Sequence, residues 1–218
     1  MKVVILAAGR GTRMGNLTDT RPKPMLSYAG KNLIEHKLEI IPDKTKEIVI
    51  VVGYLGDVIK NHFGDNWKNI PIRYVEQKEL NGTGGAIWTA QEHLENTPFL
   101  IMPGDDIFKK EDIDKIIEHE RSMLVSHIKH GVVSGGNVKR DEAGKLLAII
   151  EGKHDAPATI ATSLYFLDDN IFKYPLVKIP GREEYGLPQT IVPYSKEYPI
   201  HIVEETGWKQ ITAPEDLT

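Results

Sequence analysis

The sequence has no cysteine, no long apolar run and no excess of positive charge. The absence of cysteine from all 218 residues excludes disulfide bonds, thiolate zinc sites and a cysteine nucleophile. The first apolar run, "KVVILAA", is too short for a signal peptide with its flanks and falls far short of the ~20 residues of a membrane span. We therefore expect a cytoplasmic protein with no membrane partner.

The charge balance is mildly acidic. The 27 Lys and Arg residues against 31 Asp and Glu residues give a formal net charge of −4. The field of the whole molecule then offers no attraction to nucleic acid, so we expect no nucleic-acid partner. Any chemistry on phosphate groups must use a local cluster of positive charge.

Strand-like and helix-like patterns alternate along the first half of the chain. The runs "KVVILAA", "EIVIVVGY" and "PFLIMPGDD" are typical of strands buried on both faces, and "NLIEHKLEII" has the spacing of a helix. This alternation predicts an α/β fold with a parallel sheet and helices on both faces. Later strand-like runs are joined by turns such as "DEAG", which predicts a mixed extension of the same sheet. We expect one domain over residues 1–218.

The loop "AAGRGTRMG" after the first strand nearly completes the dinucleotide fingerprint G-x-G-x-x-G. Gly9 and Gly11 fit, but Met14 holds the third place, and no acidic residue ends the second strand. A Rossmann dinucleotide site is therefore disfavoured, and the phosphate loop G-x-x-x-x-G-K-[ST] is absent. Two interpretations stay open for the glycine pair: a tight turn, or a loop whose N–H groups bind phosphate oxygens.

Three charged residues suggest phosphate chemistry near that loop. Arg13 and Lys23 could neutralise a polyphosphate, and prolines on both sides of Lys23 restrict its backbone. Asp105 follows a predicted strand at the edge where α/β sheets bind ligands, so it could hold a divalent cation against phosphates. The alternatives are a solvated lysine and a turn or helix-capping aspartate, and Asp106 is a candidate for that cap.

Motifs along nearly the whole chain resemble the sugar-1-phosphate nucleotidyltransferases. They are "LAAGRGTRMGNLTDTRPKPML", "EQKELNGTGGAI", "PGDD", "SGGNVKRDEAG", "IIEGK" and "APEDL". The resemblance implies an enzyme that joins a nucleoside triphosphate to a sugar 1-phosphate and releases pyrophosphate, with Mg²⁺ as cofactor. It also implies a three-layer sandwich around a mostly parallel, Rossmann-like mixed sheet, with a nucleotide-binding half (1–110) and an acceptor-binding half (111–218). A homo-oligomer is compatible with the sequence.

The resemblance assigns roles on the nucleotide side. Arg13, Lys23 and Asp105 would be catalytic, with Asp105 also the metal ligand. Gln77, Gly82 and Thr83 match a Q-x-x-x-x-G-T arrangement that recognises a pyrimidine, so UTP or dTTP is favoured over CTP and purines. The full set of nucleotide-binding residues implied is Leu6, Ala7, Ala8, Gly9, Gly11, Thr12, Arg13, Lys23, Gln77, Gly82 and Thr83.

On the acceptor side the resemblance assigns Gly136, Glu151, Lys153 and Thr162. Gly136 would approach the sugar through its backbone, and Glu151 would accept hydrogen bonds from sugar hydroxyls. Lys153 lies one place beyond the lysine of the family pattern. Ser163 follows Thr162 where the family usually has glycine, so this part of the acceptor pocket is altered.

The ending "GWKQITAPEDL" departs from the family pattern. Gln210 and Thr212 occupy positions at which the family has an aspartate that completes the metal site, and Glu204 or Glu205 could supply a second carboxylate instead. Two alternatives follow from this ending. One is a CTP-dependent cytidylyltransferase of an alcohol or sugar phosphate, and the other is a regulatory protein that binds nucleotide sugars without turnover.

Overall fold

The computed structural model describes residues 1–218. Its strands are β1 (Lys2–Ala7), β2 (Ser27–Tyr28), β3 (Lys31–Asn32), β4 (Glu47–Val52), β5 (Asn66–Trp67), β6 (Ile70–Glu76), β7 (Phe99–Pro103), β8 (Ser122–Ile128), β9 (Val132–Arg140), β10 (Leu146–Asp155), β11 (Ala158–Leu167) and β12 (His201–Glu204). Its α-helices are α1 (Leu33–Ile40), α2 (Gly56–Phe63), α3 (Gly82–Thr89), α4 (Lys110–Ile116) and α5 (Leu187–Tyr194). Short 3₁₀ segments cover Thr12–Thr18, Lys23–Met25, Gln91–His93, Asp169–Lys173 and Pro214–Leu217.

Ten of the strands form one sheet, whose main path runs β10-β9-β11-β7-β1-β4-β6-β5, with β8 and β12 joined beside β11. The strands β7, β1, β4 and β6 are mutually parallel, as the apolar runs of β7, β1 and β4 predict. The loops that follow their carboxyl ends therefore lie at one edge of the sheet.

Antiparallel pairing makes the second half of the sheet different from the first. Strands β8, β9 and β10 join the sheet through β11, which pairs antiparallel with β8, β9 and β7. The register of β11 against β8 shifts between Ala161 and Tyr165, where β11 passes from β9 to β7 as a neighbour. The predicted mixed sheet is confirmed.

Two apolar layers cover the two faces of the sheet. One contains residues of α1, α2 and α4, and the other contains residues of α3 and α5. The three-layer α/β fold is therefore confirmed. None of the helices combines the length and the apolarity that crossing a bilayer requires.

Helix α1 shows how local sequence fixes the elements next to the cavity. The Asn32 side chain accepts a hydrogen bond from the Glu35 N–H at 2.9 Å, and the Glu35 carboxylate accepts one from the Asn32 N–H at 2.7 Å. This reciprocal cap satisfies two N–H groups at the start of the helix, and Pro42 follows its end.

Helix α5 has no counterpart in the sequence predictions. It contains Pro188 in its first turn and Pro193 near its end. Proline is tolerated in a first turn because the N–H there has no intrahelical partner, but a second proline breaks the expected helical pattern. Helix α3 ends at Thr89, and a 3₁₀ turn follows it.

Candidate active site

A cavity of about 960 Å³ lies at the carboxyl edge of the parallel strands, between residues of the two halves of the chain. All of the site residues predicted from the sequence line it. They are Leu6, Ala7, Ala8, Gly9, Gly11, Thr12, Arg13, Lys23, Gln77, Gly82, Thr83, Asp105, Gly136, Glu151, Lys153 and Thr162. Their individual roles in binding and catalysis stay predictions.

We call the loop after β1, residues 8–15, the glycine loop. It packs against the side chain of Lys23. Gly11 has φ +68°, and a Cβ added there would lie 2.7 Å from Cβ of Lys23. Only glycine therefore lets the loop pack against the lysine stem. Met14, which breaks the dinucleotide fingerprint, is buried with Leu26, Leu33 and Ile211 and so anchors the loop to the end of the chain.

Lys23 forms an ion pair with Asp105 at the cavity wall. Its Nζ lies 2.6 Å from Oδ2 of Asp105, and it also donates to the carbonyl oxygen of Ile211. The lysine side chain is 9% exposed and the aspartate side chain 38% exposed. The cation is thus held in place while the carboxylate stays accessible from the cavity. Arg13 is exposed on the loop beside them.

Asp106 and Lys37 form a buried polar network behind this pair. The Asp106 carboxylate accepts hydrogen bonds from Nε1 of Trp208 at 2.9 Å and from the Ile211 N–H at 3.2 Å. The Lys37 ammonium donates to the Asp106 carbonyl oxygen. Burial, followed by the nearby Asp105 carboxylate, raises the pKa of Asp106 to about 7, and burial lowers the pKa of Lys37 to about 8. Asp106 thus anchors the last segment of the chain and caps no α-helix, since α4 begins at Lys110.

Gln77 lies buried at the nucleotide side with its amide oriented by two neighbours. Its Nε2 donates to Oδ1 of Asn81 at 3.0 Å and to the Gly82 carbonyl at 3.2 Å. Both amide hydrogens are used, which leaves Oε1 as the group able to bond a ligand. The Thr83 hydroxyl accepts from the Leu187 N–H at 3.1 Å and so ties α3 to α5.

Glu151, Gly136 and Ala161 are adjacent across β10, β9 and β11. A Cβ added at Gly136 would lie 3.0 Å from Oε1 of Glu151 and 2.5 Å from Cγ2 of Ile149. The glycine therefore leaves space into which the Glu151 carboxylate folds. Lys153 pairs with Ser134 farther along the same two strands. The Thr162 hydroxyl is buried and donates to the Leu124 carbonyl at 3.1 Å.

Two further segments line the cavity, of which the sequence predictions missed the first and included only part of the second. The loop before α5 contributes Arg182, a further cation at the cavity, together with Ile179 and Glu184. The one signal for Arg182 in the sequence was its positive charge between the turn-forming pairs "PG" and "YG". The final segment contributes Trp208, and it also brings in Gln210 and Thr212, which the sequence had singled out.

The carboxylates of Glu204 and Glu205 lie outside the cavity lining. Glu204 pairs with His127 at 2.8 Å. Glu205 accepts from the Ser126 hydroxyl at 3.0 Å and from the Trp208 N–H at 2.9 Å. Neither side chain therefore adds a second carboxylate beside Asp105.

Comparison with known proteins gives a family match over almost the whole chain. The family model described as nucleotidyl transferase matches residues 2–217. The bifunctional protein GlmU of Methanococcus maripaludis is 32% identical over 222 residues, which cover 100% of this chain and 53% of that protein. UTP–glucose-1-phosphate uridylyltransferase AglF of Haloferax volcanii is 30% identical over 99% of this chain and 93% of its own length.

A more distant relative is the bifunctional IPC transferase and DIPP synthase of Archaeoglobus fulgidus, which is 26% identical over 100% of this chain and 42% of that protein. The chain spans about half the length of the GlmU relatives it matches. The family match confirms the resemblance drawn from the motifs, and it agrees with a cavity lined by all of the site residues predicted from them. The chain belongs to the nucleotidyl transferase family.

Proposed function

We propose that this chain transfers a nucleotidyl group from a nucleoside triphosphate, preferably UTP or dTTP, to a sugar 1-phosphate in nucleotide-sugar biosynthesis. The observation that carries the proposal is the Lys23–Asp105 ion pair beside the glycine loop in a cavity of about 960 Å³. Residues 1–110 would bind the nucleotide and residues 111–218 the acceptor. The family match and the uridylyltransferase named among the relatives support this activity.

The reaction needs no side-chain nucleophile, because the attacking group is already an anion. An oxygen of the acceptor phosphate attacks the α-phosphorus in line and forms a new P–O bond. The bond from the α-phosphorus to the oxygen that bridges to the β-phosphorus breaks, and pyrophosphate leaves with that electron pair. Catalysis is then mostly positioning and charge stabilisation, for which Arg13 and Lys23 are suited.

The donor set of the cavity fits magnesium shared with substrate phosphates. No group of three or more His, Cys, Asp or Glu side chains is placed to hold a metal by itself. Magnesium takes only one or two protein carboxylates and completes its shell with phosphate oxygens and water. Asp105, which is partly exposed, would be the carboxylate ligand. Bound magnesium would neutralise charge at the reacting phosphates.

The orientation of Gln77 supports a preference for UTP or dTTP. Its free Oε1 can accept a hydrogen bond and cannot donate one, because Nε2 already donates to Asn81 and Gly82. Uracil and thymine present an N3–H donor, whereas N3 of cytosine is an acceptor. Where Oε1 meets N3 of the base, the match of acceptor to donor therefore favours uracil and thymine.

A CTP-dependent cytidylyltransferase of an alcohol or sugar phosphate is the second candidate. It is favoured by one observation, the ending "QITAPEDL", which places Gln210 and Thr212 at the cavity.

The cytoplasmic location and a homo-oligomer stay predictions.

Pyrophosphate release tests the function directly. UTP, dTTP, CTP and GTP would each be combined with a panel of sugar 1-phosphates and alcohol phosphates in the presence of Mg²⁺. We expect release with UTP or dTTP and a sugar 1-phosphate. Release only with CTP would establish the second candidate, and nucleotide-sugar binding without any release would indicate a regulatory protein.

Charge-removing variants test the assigned residues. Lys23→Met and Asp105→Asn should each lower kcat by at least about 100-fold, since each removes a charge at the reacting phosphates. Lys110→Met and Asp114→Asn, at exposed positions of α4, are matched controls that should keep wild-type turnover. Near wild-type turnover in a folded Lys23→Met or Asp105→Asn protein would refute the assignment.

A further inference from the structure

Ser163 has a backbone conformation that serine rarely adopts. It lies within β11 with φ +63°, in the left-handed region that favours glycine. Non-glycine residues in this region cost conformational free energy and cluster at ligand sites, where the surrounding structure holds them. Serine at this position therefore costs conformational free energy that glycine would not.

The conformation occurs where β11 changes neighbours. The register of β11 against β8 shifts between Ala161 and Tyr165, and such irregularities bend a strand and redirect a side chain. Ser163 is half-buried and lines the cavity on its acceptor side, together with Glu151 and Tyr165. Ser163, held in this left-handed conformation, is thus part of the cavity wall.

The groups near Ser163 define what its hydroxyl could bind. Burial, followed by the Glu151 carboxylate, raises the pKa of the Tyr165 phenol, and the Ser163 hydroxyl opposes that shift. Tyr165 is therefore a neutral, buried neighbour, whereas Glu151 can only accept hydrogen bonds when ionised. A hydroxyl both donates and accepts, so Ser163 adds to this wall a group that a second ring hydroxyl of a sugar can bond.

We propose that Ser163 is a specificity-determining residue, whose hydroxyl bonds one ring hydroxyl of the acceptor sugar while Glu151 accepts from another. The inference rests on the proposed function. A purely conformational role is the alternative: the strand needs a left-handed residue here, and the hydroxyl touches nothing on the substrate. The two accounts differ in what removal of the hydroxyl does to acceptor binding.

Two substitutions separate the effect of the Ser163 hydroxyl from the effect of the backbone strain. Ser163→Ala removes the hydroxyl and keeps the Cβ in its strained position, whereas Ser163→Gly removes both. We expect Ser163→Gly to raise Tm above wild type and Ser163→Ala to leave it nearly unchanged. Both should raise KM for the sugar 1-phosphate by about threefold to tenfold, the loss typical of one hydrogen bond, with KM for the nucleotide unchanged. Ser195→Ala, outside the cavity, is the matched control.

Deoxy substrates identify the hydroxyl that is bound. The acceptors are glucose 1-phosphate and N-acetylglucosamine 1-phosphate with their monodeoxy analogues. We expect one analogue to be as poor for wild type as for Ser163→Ala, because the bond is then absent from both. If wild type turns over these acceptors and Ser163→Ala has unchanged KM for all of them, this inference is overturned and the proposed function stands. If the wild-type protein transfers a nucleotidyl group to no sugar 1-phosphate, both the inference on Ser163 and the proposed function are overturned.

Discussion

Lys23 is restrained along its whole side chain. Its stem packs against Gly11, and its ammonium bonds both Asp105 and the carbonyl oxygen of Ile211. A lysine has many rotamers, so fixing one before substrate binds removes an entropy cost from the reaction. The glycine spacing of the loop matters here because it makes room for the lysine.

Gly11→Ala tests that packing. The added methyl would lie 2.7 Å from Cβ of Lys23 and occupy φ +68°, so we expect it to displace the lysine as well as strain the loop. The free energy of unfolding should fall by about 1 kcal/mol from the strain alone, and pyrophosphate release should fall by more than about tenfold. Chemical denaturation and steady-state kinetics measure the two effects.

Gly144→Ala is the matched control for the strain. Gly144 has φ +79°, and a Cβ added there would have open space around it. It lies in a turn outside the cavity lining, so stability should fall by a similar amount while turnover stays at the wild-type value. Equal turnover in both alanine variants would show that contact with Lys23 is irrelevant to catalysis.

The segment from Trp208 to Thr212 joins the glycine loop after β1 to the end of β7. Ile107 and Lys209 exchange backbone hydrogen bonds of 2.9 and 3.0 Å, and Ile211 is buried against Met14. Asp106 holds the same segment through its carboxylate. Lys37 of α1 bonds the Asp106 carbonyl, so a buried lysine supports the turn that carries Asp105.

Lys37→Met should destabilise the fold by about 1–3 kcal/mol, because it leaves the Asp106 carbonyl without its donor. Without that cation the pKa of Asp106, already raised to about 7, rises further above its unfolded value. The folded variant then binds more protons than the unfolded chain, so its stability falls as pH rises from about 5 to about 8. The double variant Lys37→Met/Asp106→Asn has no carboxyl group at residue 106, so it lacks this titration.

The measurement is urea denaturation of the single and double variants across that pH range. We expect the free energy of unfolding of Lys37→Met to decline relative to that of the double variant as pH rises. Parallel pH profiles would show that the pKa of the Asp106 carboxyl group is not raised in the folded protein. Lys110→Met, on an exposed surface, should change stability by less than about 0.5 kcal/mol.

The sequence predicted the elements whose burial is continuous. The apolar runs of β1, β4 and β7 left no alternative to buried strands, and motifs that follow them in sequence meet at one edge. Helix α5 escaped prediction because Pro188 and Pro193 break its pattern. The position of Arg182 at the cavity was also not predicted, since it depends on how the loop folds.

Lys37 shows a different limit of sequence analysis. It follows Leu33 by four residues and Ile34 by three, so it lies in the apolar stripe of α1. That placement predicts a buried or edge lysine, but its partner lies 69 residues away on another loop. Pairing of this kind depends on tertiary structure, and local pattern does not contain it.

The whole molecule combines an acidic net charge of −4 with cations gathered at one cavity. Arg13 and Lys23 come from the half before residue 110, whereas Lys153 and Arg182 come from the half after it. The cavity therefore draws cations from both halves of the chain, and the Lys23–Asp105 ion pair lies beside the glycine loop. A local cluster of cations is what the proposed phosphate chemistry would require on a protein without a basic surface.

In the proposed reaction the acceptor phosphate attacks the α-phosphorus of the nucleotide, and oxygen labelling of that phosphate tests this attack. A sugar 1-phosphate carrying ¹⁸O in its phosphate oxygens would be incubated with UTP or dTTP and the products examined by mass spectrometry. We predict that all of the label remains in the nucleotide sugar and that pyrophosphate is unlabelled. Labelled pyrophosphate, or release of orthophosphate without a labelled nucleotide sugar, would contradict the account.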